Sequence, residues 1–67
     1  MKVRIEFESG DWVAIDNIVG IVAKGSYVAV NLSLSSRIDS SYDVPEVEEL
    51  SDELRKSYKD VASIIVS

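Results

Sequence analysis

The chain has 67 residues, 46% of them hydrophobic, with a net charge of −5 and neither cysteine nor histidine. That length excludes a divided core, the missing Cys excludes disulfides and thiolate metal sites, and the missing His removes the commonest zinc ligand and neutral-pH base. The acidic balance disfavours general affinity for nucleic acid or anionic membranes, and the apolar content is too high for a disordered chain.

A single small domain over residues 1–67 is therefore expected. Domains of this size are marginal and need a staple; with disulfides and metals excluded, homo-oligomerisation, as a dimer, is the one left. No apolar run reaches the length of about 18 residues that a membrane helix needs. The opening MKVRIEFESG alternates charged and apolar residues and lacks the continuous apolar stretch of a secretion signal, so cytoplasmic residence is expected.

Lys2 to Glu8 alternates cleanly, with Val3, Ile5 and Phe7 on one side, as in a half-buried strand. Asp11 to Asp16 reads as a second strand. A loop of Glu8, Ser9 and Gly10 sets Val13 and Ile15 against Ile5 and Val3, places Gly10 where a bulged hairpin wants a left-handed residue, and puts Trp12 on the opposite face beside Glu6. Asp16-Asn17 is a turn signal, because Asn tolerates the left-handed region.

In VGIVAKGSYVAVNL, Gly25-Ser26 suits a type II′ turn. Two-residue closure pairs Ala23 with Val28, Ile21 with Val30 and Val19 with Leu32 on one apolar face. These pieces predict a four-stranded antiparallel meander. Its second face mixes Arg4, Glu6 and Lys24 with Trp12, Ile18, Val22, Tyr27 and Ala29. Either the curled sheet edges cover these residues, or Trp12, Ile18, Val22 and Tyr27 form an oligomer contact. The serine-rich NLSLSSRIDSSYDV reads as a long loop, with the fourth strand extending toward Leu34.

DSSYDVPEVEELSDE, from Asp39 to Glu53, holds seven acids and no base. Asp43-Val44-Pro45-Glu46 resembles a capping box, and Val47, Leu50, Leu54 and Tyr58 recur at three- and four-residue steps. An amphipathic helix over about 45–59 is expected, acids first and Arg55, Lys56 and Lys59 last, an order that complements the helix macrodipole. The acids Asp39, Asp43, Glu46, Glu48, Glu49, Asp52 and Glu53 are then either a solvated helix start or a surface for a protein partner with a basic groove. Charge runs are usually solvated faces, which speaks for the first; like charges four residues apart, Glu48/Asp52 and Glu49/Glu53, speak for the second. In VASIIVS, Val61, Ala62 and Ile65 continue the helical stripe, yet four of seven residues are β-branched. A fifth strand over about 61–66 is expected to return to the sheet. The predicted fold class is thus α+β, with the helix packed on one face of the meander.

No catalytic residue, cofactor site or metal site is expected. The three glycines stand singly, no His can activate a serine, and no calcium-loop spacing occurs. Scattered bases without an aromatic-lined stripe argue against direct nucleic-acid binding. KVRIEFESGDW followed by AIDNIVGI resembles the openings of short early proteins of bacteriophages and prophages of Gram-positive bacteria, over roughly the first 25 residues. Some characterised proteins of that class are anti-CRISPR or other anti-defence inhibitors, several of them acidic and bound in nucleic-acid sites of their targets. The resemblance implies a non-enzymatic inhibitor that mimics nucleic acid; the alternative is a small assembly protein that self-associates through its apolar sheet face.

Overall fold

The structure, a computed structural model, describes residues 1–43 and 54–67. Seven strands follow one another: β1 (Val3–Phe7), β2 (Trp12–Asp16), β3 (Gly20–Lys24), β4 (Tyr27–Leu32), β5 (Arg37–Ser40), β6 (Leu54–Tyr58) and β7 (Val61–Val66). They form two antiparallel sheets, a four-stranded one in the order β5-β2-β1-β7 and a three-stranded one in the order β3-β4-β6.

Both hairpins have the register their turns dictate. In the first, Val3 faces Ile15, Ile5 faces Val13 and Glu6 faces Trp12. Gly10 sits at φ +93° and donates to the Phe7 carbonyl at 3.0 Å, while Phe7 donates to Asp11 at 2.9 Å. A side chain at Gly10 would be strained by that φ. In the second, Ile21 faces Val30 and Ala23 faces Val28 across a turn led by Gly25 at φ +61°.

The predicted meander is corrected at Asn17. This residue takes φ +57° and turns the chain out of the four-stranded sheet into the three-stranded one, so β2 does not pair with β3. Ile18 donates to Met1 on one side and Val19 to Asn31 on the other. The corner shifts the parity: Ile18 is 5% exposed in the core, and Val19 is 66% exposed. Instead of β3, the free side of β2 takes β5, hidden in the serine-rich stretch, with Ile15 opposite Ile38. Ser33 and Ser36 anchor the turn before β5 by donating from their hydroxyls to the Asn17 carbonyl at 3.3 and 2.7 Å.

The predicted helix over 45–59 is also corrected, and with it the α+β class. Residues 44–53 lie outside the described residues, but Leu54–Tyr58 is a strand paired with β4, and no helix occurs among the described residues. The fold is all-β there. The strand expected over 61–66 is present as β7, the seventh rather than the fifth, and pairs with β1.

β6 and β7 form one bent ribbon. At its corner Asp60 takes φ +58°, Val61 donates to Ser26 beside β4 at 2.9 Å, and Glu8 beside β1 donates to Asp60 at 3.0 Å. Two non-glycine left-handed residues thus carry strands from sheet to sheet. Between the sheets lies one core of Val3, Ile5, Val13, Ile15, Ile18, Val28, Val30, Leu32 and Tyr58. Six of its side chains (Val3, Ile5, Val13, Ile15, Val28 and Val30) are fully enclosed, and burial of each contributes about 1.5–3 kcal/mol.

Candidate functional site

A cleft of about 430 Å³ opens where the end of β1, the following turn, the bend after β5 and the β6–β7 corner meet. Phe7, Glu8, Ser9, Asp11, Tyr42, Ser57, Tyr58, Lys59 and Asp60 line it.

The aromatic part is positioned by strand parity. Phe7 is the last residue of β1 and half-buried, and its ring lies 5.7 Å from Tyr58 and 6.1 Å from Tyr42, the latter edge-on at 73°. Tyr58 ends β6 opposite Val28, which carries its ring into the core. The bend that brings Tyr42 forward is tied at both ends. Ser40 Oγ donates to the Tyr42 carbonyl, and Ser41 N–H donates to the Trp12 carbonyl at 3.1 Å.

The charged part comes from turns. Asp11 Oδ1 accepts from Ser41 Oγ at 3.1 Å and Oδ2 from Ser9 Oγ at 3.2 Å, so both carboxylate oxygens are held in place. Ser41 Oγ also accepts from the Trp12 amide at 2.9 Å. Glu8 and Asp60 add two carboxylates, and among the described residues Lys59 is the single cation of the lining. Among the described residues the only ion pair is Arg4–Glu6, outside the cleft, so no carboxylate of the lining has a salt-bridge partner there.

Tyr58 is 6% exposed, and its hydroxyl is enclosed without a hydrogen-bond partner among the described residues. Burial, and then the charge Tyr42 would carry, push its phenol up to about 12. Tyr42 is raised as well, by burial first and then by the Asp11 carboxylate. The two phenols and Asp11 therefore stand within electrostatic reach of one another, and both phenols are neutral at physiological pH.

Of the acids singled out in the sequence, Asp39 and Asp43 are exposed, Asp39 on the edge strand β5 and Asp43 directly after Tyr42. Glu46, Glu48, Glu49, Asp52 and Glu53 lie outside the described residues. The predicted apolar contact is not assembled as one face. Ile18 is in the core, Val22 and Tyr27 are exposed in the three-stranded sheet, and Trp12 is half-buried in the other sheet. There Arg4 covers the Trp12 ring at 4.6 Å while its Nε approaches Glu6 at 3.4 Å.

Sequence reasoning missed the cleft residues as a group. Phe7 is legible only as one side of a strand, Tyr58 only as part of an apolar stripe that reads as helix, Glu8 as a loop residue and Asp11 as the start of a strand, while Asp60 carries no signal of its own. No motif joins them, because three stretches far apart in the chain supply them. Among the described residues no group of acids has a metal-binding arrangement, and no helix is long and apolar enough to cross a membrane. The chain matches no protein-family model, no curated protein and no solved structure.

Proposed function

We propose that this protein is a non-enzymatic binding module that presents an acidic surface to a protein partner with a basic, nucleic-acid-binding groove, as a phage-encoded inhibitor of the anti-CRISPR kind would in the host cytoplasm. The supporting observation is where the charge lies. Outside residues 44–53, acids and bases balance at seven each, so the whole excess of five negative charges sits in that one segment. In the sequence it follows Asp43 and Tyr42, and Tyr42 belongs to a cleft whose described lining carries three carboxylates. Charge concentrated in one segment draws a cationic partner to that segment instead of attracting it evenly over the surface. Neither direct nucleic-acid binding nor membrane binding belongs to this reading.

Joint replacement of Glu48, Glu49, Asp52 and Glu53 by Lys is expected to abolish retention of basic nucleic-acid-binding proteins from a host extract, with the fold's circular dichroism unchanged. Capture of the same proteins by that variant refutes the reading.

One observation favours a second reading, self-association. β3 is an edge strand carrying exposed Val22, with exposed Val19 just before it and Tyr27 across the turn. Such an edge is a template for pairing with another chain. Sedimentation equilibrium is expected to show a dimer that Val22→Lys dissociates; a monomer at millimolar concentration ends that reading.

A further inference from the structure

We propose that the cleft at the β6–β7 corner is a receptor for one guanidinium group, the side chain of an arginine on the protein partner. This rests on the reading of the protein as a module for a basic partner and names the contact at its centre.

Three features select the ligand. The lining carries three carboxylates against one ammonium, which favours a cation and disfavours an anion. Its wall is aromatic, from Phe7, Tyr42 and Tyr58, and a cation over a ring face is stabilised when water is excluded. The Tyr58 hydroxyl is enclosed and unpartnered among the described residues, a feature that calls for an explanation because burying such a group costs stability. A hydrocarbon occupant would leave that hydroxyl unsatisfied. An ammonium would match the charge but has no plane to lay on a ring. A guanidinium has five N–H donors in one plane, so it can stack on Tyr42, donate to Asp11 and reach the Tyr58 oxygen together.

The chain already contains this arrangement once. Arg4 lies over the Trp12 ring at 4.6 Å with its Nε toward a carboxylate, Glu6, at 3.4 Å. At the cleft the ring and carboxylate are in place and the arginine comes from outside. Asp11 is held ready by the hydroxyls of Ser9 and Ser41, which occupy two of its roughly four acceptor sites and leave the others for the incoming group. Because the Tyr58 hydroxyl is enclosed, the occupant reaches it as the exposed Tyr42 ring turns to lie flat against the incoming plane. The Lys59 ammonium, on a flexible stem at the corner, moves out toward solvent on binding.

The test is an amide NMR titration of the full chain with N-acetyl-arginine amide, alongside N-acetyl-citrulline amide, which has nearly the same shape without the charge. Saturable shifts are expected at Phe7, Glu8, Asp11 and Ser57 to Asp60 for the arginine compound. The citrulline compound, Asp11→Asn and Tyr58→Phe should each weaken binding about tenfold, as loss of a hydrogen bond to a charged group does. Tyr58→Phe keeps the ring in the core, so this variant folds and its result is interpretable. Absence of saturable shifts at these residues, equal binding of citrulline, or undiminished binding to Tyr58→Phe overturns the inference. A parallel titration with a basic peptide separates it from the wider reading. A peptide that binds wild type but not the variant reversed at Glu48, Glu49, Asp52 and Glu53, with no arginine effect at the cleft, sinks the cleft alone. A peptide that binds neither protein sinks the wider reading.

Discussion

Tyr58→Phe should make this protein more stable. The hydroxyl lies in a residue 6% exposed, with no hydrogen-bond partner among the described residues. An unsatisfied buried hydroxyl costs about 1–3 kcal/mol, whereas the phenylalanine ring retains the packing against Phe7 at 5.7 Å and the place opposite Val28. Part of the nominal gain is offset by the small void left where the oxygen was, so a net stabilisation of about 1–2 kcal/mol is expected. In a domain of this length each kcal/mol raises Tm by about 4–8 °C. Urea unfolding followed by Trp12 fluorescence measures it, with wild type and variant fitted to a common slope. Destabilisation by about 1 kcal/mol, the signature of a hydrogen bond lost, would refute the reasoning, because it would mean the hydroxyl is satisfied in the folded protein. Stability gained and ligand affinity lost in the same variant would mark the hydroxyl as retained for binding.

The alkaline limb of the stability profile should report the same residue. In the unfolded chain the phenol ionises near its ordinary value of 10, while the fold holds it neutral to about 12. The stabilisation is therefore complete below 10 and falls as pH rises through 12, and phenolate absorbance should show a last ionising step that Tyr58→Phe removes. Ile18→Ala is expected to cost about 2–4 kcal/mol and Val22→Ala less than about 0.5, measured by urea unfolding; equal costs would mean that the corner parity is wrong. Asn17→Val, which places a β-branched residue at φ +57°, should cost about 1–2 kcal/mol in the same assay, and Asn17→Gly should not.

What the sequence disclosed was local. Gly10 and Gly25 specify their turns, and the alternation on either side has only one register that keeps Val3, Ile5, Val13, Ile15, Val28 and Val30 together. The helix was misread because its pattern was ambiguous. Leu54 and Tyr58 are four residues apart, a spacing that fits both a helix of period 3.6 and a strand of period 2. Lys56, half-buried opposite Val30, interrupts the alternation that would have exposed β6 as a strand. In β7, Val61 and Ile64 are three apart yet both half-buried, because a bulge opposite Glu6 and Phe7 absorbs one residue. Short strands also hide: β5 has four residues and one apolar side chain, Ile38. The cleft was illegible for another reason. It belongs to no element and exists only where a hairpin turn, a bend and a corner converge.

The bent ribbon has a consequence for synthesis. Its two halves complete different sheets, and it lies last in the chain described here. A nascent chain that has delivered both hairpins still lacks one strand of each sheet, and both sheets stay incomplete until the β6–β7 segment leaves the ribosome tunnel. Folding then proceeds in one late step dominated by contacts between residues far apart in sequence, which makes it slow for so small a protein. A chain stalled or cut before Leu54 would have neither sheet complete, and its uncovered strands would be open to chaperones and to other unfinished copies.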